Sequence, residues 1–234
     1  MRKWMMGASL ALVLGFTACN NDDDNLNADK SVEATFENDA EGWSGELADY
    51  STSMDSTVTE FSFKREALPA PLDVKKKALR IQSHNRSDDM FMFLKKKVTG
   101  LDPNKTYNVT FEIDLGTQYP TNSVGIGGSP GTSVYLKAGA SSKEPVKVAK
   151  DGFYGFSLDK GNQATGGKDL ILVGNVSNGT ADSVVHKLVK HTTATKPLAV
   201  KPNEKGELWL CVGTDSGFEG LTVLYYDRIK AIIK

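Results

Sequence analysis

Glu112 and Asp114 are the residues of this 234-residue chain whose types and spacing come nearest to catalytic chemistry. Strand neighbours two apart point the same way, so the two carboxylates share a face. A retaining glycosidase needs two carboxyl groups roughly 5 Å apart flanking the bond it cleaves. Gly116, Thr117 and Gln118 follow, so no third carboxylate stands nearby to complete an acid/base set. The pair therefore reads as the polar face of an alternating strand. The three histidines, His84, His186 and His191, form no His-Glu-x-x-His zinc pair and no triad order, and no Gly-x-Ser-x-Gly elbow occurs. Cys211 lies in the apolar run Leu208–Val212 and reads as a buried structural thiol. The stretch Gly125–Gly131 lacks the Lys-Ser/Thr pair that reaches a nucleotide's phosphates, which excludes a phosphate loop. No catalysis is expected.

Binding chemistry is better represented. Three polar segments stand out: Ser83–Asp89, Gly125–Gly131 with Lys137 in the strand after it, and Lys160–Asp169. Each sets amide, carboxylate or guanidinium groups beside glycines or in a short turn, and glycine lets a backbone approach a ligand closely. Sugar hydroxyls both donate and accept, and Asn, Gln, Asp and Arg match them two bonds at a time. The candidate ligand-binding residues are Asn85, Arg86, Asp88, Asp89, Lys137, Asn162 and Gln163. The same segments also read as ordinary strand connections whose side chains cap their own backbone. Trp43, Tyr119 and Tyr135 stand either as stacking platforms or as core residues.

These residues are carried on strands. In Tyr107–Leu115 every odd position is apolar and every even position polar, the pattern of a half-buried strand. Shorter signals of the same kind fall at 78–81, 90–98, 133–138, 153–158, 169–173, 184–189, 207–212 and 221–233, separated by Gly, Pro, Asn, Asp and Ser clusters. No stretch carries a 3.6-residue apolar stripe with caps. The expected fold is all-β, a two-sheet antiparallel β-sandwich forming one domain over residues 31–234. A net charge of -1 gives no field for nucleic acid. The runs Lys75–Lys77 and Lys95–Lys97 read as solvated turn and edge positions.

The N-terminus gives a location. Arg2 and Lys3, an apolar run from Ala8 to Phe16, and the small residues Thr17 and Ala18 lead into Cys19. That order is a secretory signal cut before a cysteine, and it resembles the lipobox of bacterial lipoproteins, with Phe16 where the family prefers Leu. The run is too short for a membrane span, which needs about 20 apolar residues. Residues 1–18 are expected to be removed, Cys19 to carry the lipid, and residues 19–30 to form an acidic tether. The acidic run Asp22–Asp24 resembles a signal for the outer surface of Gram-negative cells, so an outer-membrane lipoprotein facing the exterior is expected, the periplasmic face being the alternative.

Within the sandwich, Ala34–Asp39 followed by Gly42-Trp43 resembles the first strand of galactose-binding-like jelly rolls, the fold of many non-catalytic carbohydrate-binding modules. Val98–Pro103 resembles the turn before a central strand of those modules, and Val223–Ile229 their last strand. The whole is similar to secreted bacterial lipoproteins described as sugar-binding. This resemblance implies a jelly roll, a glycan or other small polar ligand, and one structural calcium ion between first and last strands, held by Glu37, Asp39 and Asp227. Glu112–Leu115 also resembles the start of the catalytic strand of sandwich-fold glucanases, without their third carboxylate. The expectation is a lipoprotein that binds carbohydrate through its polar loops, meets the membrane only through its lipid and binds no nucleic acid. A structural or adhesive surface protein with a protein partner is the alternative, followed by a glycan-active hydrolase or lyase.

Overall fold

A computed structural model describes residues 29–234. Its fifteen strands are β1 (Lys30–Ala34), β2 (Ser44–Ala48), β3 (Tyr50–Ser51), β4 (Ser62–Ala67), β5 (Lys77–His84), β6 (Met90–Val98), β7 (Tyr107–Thr117) and β8 (Val134–Ser141). They continue with β9 (Lys147–Lys150), β10 (Phe153–Phe156), β11 (Leu170–Asn175), β12 (Lys187–Thr192), β13 (Leu198–Val200), β14 (Leu208–Ser216) and β15 (Leu221–Ile233). One 3-10 turn, Ser56–Thr59, is capped by the Asp55 carboxylate.

Two main antiparallel sheets face each other. The first has seven strands, ordered β12-β7-β15-β5-β4, with β1 alongside β15 and β13 alongside β7; the second has five, ordered β11-β8-β14-β6-β2. The alternation of β7 puts Tyr107, Val109, Phe111, Ile113 and Leu115 into the core between them, with Leu136, Leu210, Val212 and Ile229 among the facing residues. Trp43 and Tyr119 belong to this core, and only Tyr135 of the three aromatic candidates is half-exposed. Cys211 is fully buried, and burial pushes its thiol well above the usual range. The expected first strand, Ala34–Asp39, ends at Ala34. Phe36 adopts φ +62°, so Glu37 to Asp39 lie in a turn rather than a strand.

The second sheet is buried on both faces. In β6, Met90, Met92 and Leu94 point into the sandwich while Phe91 and Phe93 point outward. A small third sheet, β3-β10-β9, and the segment after it cover those outward rings. Phe156 meets Phe91 and Phe93 edge-on at 4.7 and 4.9 Å, contacts each worth about 0.5–1.5 kcal/mol beyond area burial. The cover is close: a Cβ on Gly139 would stand 1.9 Å from the carbonyl oxygen of Asp169. Gly139→Ala must push the covering segment off β8, and overpacking of this kind costs about 1–3 kcal/mol; a urea midpoint equal to wild type would refute that tightness. Lys95–Lys97 sit in β6, an interior strand, and not at an edge as the sequence suggested. Their ammonium groups reach Glu46 and Glu144, the Glu41 carbonyl, and Glu207.

Candidate functional site

β15 sets out the geometry of the molecule. Its C-terminal half pairs with β1, Lys30 opposite Ile233, while its first residues pair with β5, Leu221 opposite His84. Thirteen residues at about 3.3 Å each separate those ends by roughly 40 Å. Where the described chain begins is therefore the end opposite the β14–β15 turn.

The three polar segments meet around that turn. Asn85 Nδ2 donates to the carbonyls of Ser216 (2.7 Å) and Phe218 (3.1 Å). The Glu219 amide donates to the Ile126 carbonyl (2.9 Å), and Gln163 Nε2 donates to the Asp88 carbonyl (3.2 Å). Arg86, Asp88 and Asn162 are exposed; Asp89 and Gln163 are half-buried. Asn85 and Lys137 are buried with their polar atoms held by the protein, so they build the loop end from beneath. Arg86 itself leans on the Val58 carbonyl and toward Glu60. The same end carries aliphatic tips, with Val124 93% and Ile126 74% exposed.

Beneath the loops lies a buried charge cluster absent from the sequence reading as a unit. Lys137 Nζ and Lys160 Nζ each contact Asp215 Oδ2 at 2.7 Å. Lys160 also reaches Asp49 (3.2 Å) and Asp89 (3.9 Å), and sits 5.4 Å from the Phe91 ring centre. Burial lowers the Lys137 ammonium despite Asp215, whereas for Lys160 the carboxylates outweigh burial and raise it. Burial and then Asp215 push Asp89 up to about 7. For Asp215 burial works upward, but the Asp89 hydrogen bond and the Lys160 charge outweigh it and hold the group below its ordinary value. Asp49 is raised, first by burial, against the pull of Lys160.

A second site lies on the outer face of the first sheet. β7 brings Glu112 and Asp114 to that face together, as their spacing requires. A bulge in β15 skips Asp227 and sets Arg228 opposite Asp114. Bulges commonly re-aim a side chain in this way. The guanidinium is clamped from three sides: Nε to Glu33 (2.6 Å), Nη2 to Glu112 (2.6 Å), Nη1 to Asp114 (3.7 Å). Hydrogen bonds to Glu33 and Glu112 hold it firmly protonated. Glu112, Asp114 and Arg228 line, with Lys190, His191 and Thr192 of β12, an open groove of about 570 Å³. Glu112 and Asp114 thus hold an arginine in place.

The three residues expected to hold calcium are placed less favourably. Asp227 is buried and takes Lys76 at 3.4 Å. Asp39 accepts from the Glu41 amide, and Glu37 from the Lys77 amide. Among the described residues no three His, Cys, Asp or Glu side chains gather to hold a metal ion. The Lys76 ammonium supplies a cation to Oδ2 of Asp227, while Oδ1 of Asp227 is buried without a hydrogen bond. Cys19, the expected lipidation site, lies outside the described residues.

No protein-family model and no curated protein matches the sequence. Among solved structures the chain is similar to the enzymatically active domain of bacteriophage CBA120 tailspike protein 4, at 11% identity and TM-score 0.37 over 84% of this chain. It is also similar to the CBM22-1–GH10 modules of Clostridium thermocellum xylanase 10B, at 12% identity and TM-score 0.40 over 87% of this chain. The chain spans 20% and 28% of those two structures. Against the mannan-recognising carbohydrate-binding module TmCBM27 it shows 10% identity and TM-score 0.37, covering 88% of this chain and 99% of that one. The neighbours include carbohydrate-binding modules.

Proposed function

We propose that this protein is a lipid-anchored, non-catalytic carbohydrate-binding protein that holds a glycan in the groove around Arg228. The observation that carries the reading is the clamped guanidinium. Arg228 is fixed by carboxylates from β1 and β7, so its remaining N–H groups and the free carboxylate oxygens form a rigid, planar set of donors and acceptors. Adjacent sugar hydroxyls present the complementary set, and a rigid site loses little entropy on binding them. The loop end, with Arg86, Asp88 and Asn162 exposed, supplies a second polar surface. Catalysis is disfavoured because the only paired carboxylates in the groove are engaged by Arg228. A glycan-array screen of residues 29–234, paired with an assay for new reducing ends, tests the reading. Binding without cleavage is expected; cleavage of a bound glycan would replace it with an enzymatic one.

A protein-binding role is the second reading, favoured by the exposed Val124 and Ile126 at the loop end.

The anchor follows from Cys19. A lipid there would hold the sandwich by the Lys30 end and turn the loop end outward, away from the membrane. Cys19→Ala removes the thiol that accepts the lipid, so the substituted protein should leave the membrane fraction with its fold intact. Its full retention in washed membranes would overturn the lipoprotein assignment.

A further inference from the structure

The charge cluster beneath the loop end contains two ammonium groups, Lys137 and Lys160, and three carboxyl groups, Asp49, Asp89 and Asp215. One proton brings it to neutrality. The geometry narrows the carboxyl groups that could take it. Both ammonium groups use Oδ2 of Asp215, leaving its Oδ1 buried without a donor. Oδ1 of Asp89 and Oδ2 of Asp49 are also buried without a hydrogen bond, but Asp49 Oδ2 has the Lys160 ammonium at 3.2 Å whereas Asp89 Oδ1 has it only at 3.9 Å. A buried carboxylate oxygen lacking a hydrogen bond is costly, and with Asp49 facing the Lys160 ammonium, one proton between Asp89 and Asp215 satisfies the remaining two at once.

We propose that Asp89 and Asp215 share one proton, forming an acid–carboxylate latch that clamps the loop Asn85–Asp89 onto the second sheet in acid and loosens toward neutral pH. The groups that face the latch come from every element packed there: Asp215 from β14, Lys137 from β8, Lys160 from the covering segment, Asp49 from the β2–β3 junction, with Arg86 and Asp88 on the loop itself. The proton resides on Asp89, the member at the surface, whose side chain is 41% exposed. Asp215, fully buried between two ammonium groups, stays ionised. The latch is independent of the Arg228 groove, which lies on the other sheet.

The direction with pH follows by linkage. Asp89 holds its proton up to about pH 7 when the loop is closed, whereas a free aspartate releases it near 3.9. Between those values the closed loop binds more protons than the open one, so closure weakens as pH rises from about 4 to about 7 and is constant above.

Hydrogen exchange of the full chain, corrected for intrinsic rates, tests this. Protection of residues 85–89 should fall by more than about tenfold from pH 5 to pH 7, following the linkage slope, and level off above. In Asp89→Asn the amide donates to Asp215 without titrating, so protection should be flat across the same range. A flat wild-type profile, or the same fall in Asp89→Asn, would overturn the latch. Should that variant fail to fold, carbon-13 titration of the wild-type carboxyl groups decides: a midpoint near 7 for Asp89 supports the latch, and a midpoint in the ordinary aspartate range overturns it.

Discussion

Lys160→Met is expected to destabilise the protein by about 3–5 kcal/mol, the usual consequence of removing one partner from a buried ion pair. The ammonium of Lys160 lies within 3.2 Å of both Asp215 and Asp49 and over the ring of Phe91. Its removal leaves Lys137 to compensate a buried site that still contains three carboxyl groups. Methionine preserves much of the stem's packing against Phe91, so the loss reports the charge. The penalty should shrink as pH falls through the carboxylate range, because protonated aspartates no longer need the cation. Urea unfolding at pH 7 and pH 4 measures both effects. A difference below about 1 kcal/mol at pH 7, the size expected of a solvated surface pair, would show that the cluster is open to water.

Arg228→Ala is expected to lower glycan affinity by about 10- to 100-fold, since hydrogen bonds to a charged group contribute about 1.5–3 kcal/mol each. Arg228→Lys should fall nearly as far. Lysine retains the charge but loses the planar fork that Glu33 and Glu112 hold. The melting temperature should change little in the lysine variant, because the groove is open and its ion pairs are partly solvated. Calorimetric titration of both variants with the strongest glycan found by the array separates the outcomes. Undiminished affinity in Arg228→Ala would place the ligand elsewhere on the molecule.

Much of the scaffold was legible because alternation is a strong local signal. β6 and β15 run over the stretches their residues indicate, and β7 extends the expected strand by only Gly116 and Thr117. The shorter β2, β4 and β9 were not seen: Ser-Gly-Glu-Leu-Ala and Ser-Phe-Lys-Arg-Glu-Ala carry little apolar alternation, and their pairing is decided by neighbours distant in sequence. The run Met90–Leu94 is a sign that was available, since five consecutive apolar residues in a strand demand cover on both faces. What it could not reveal was the identity of the cover, Phe156 and Leu158, more than sixty positions away.

The candidate sites divide along the same line. That Glu112 and Asp114 share a face follows from a period of two; that Arg228 lies between them depends on a bulge at Asp227, which no local pattern announced. The polar loops were recognised by residue type, and the structure gathers them at one turn. Lys137 was a candidate ligand contact by residue type, yet the face it occupies is covered by the segment carrying Lys160. Asp49 and Asp215 went unremarked, because a charge cluster assembled from five separate segments leaves no spacing to detect.

The central claim is that the ligand is a glycan held against Arg228 on the outer face of the first sheet. The most direct measurement is backbone amide chemical-shift mapping of residues 29–234 during titration with a bound glycan. The account predicts saturable shifts concentrated at 112–114 of β7, 190–192 of β12 and 227–230 of β15, with the turn at 216–220 unmoved. Shifts confined to the loop end, around Arg86, Asn162 and the 216–220 turn, would contradict it.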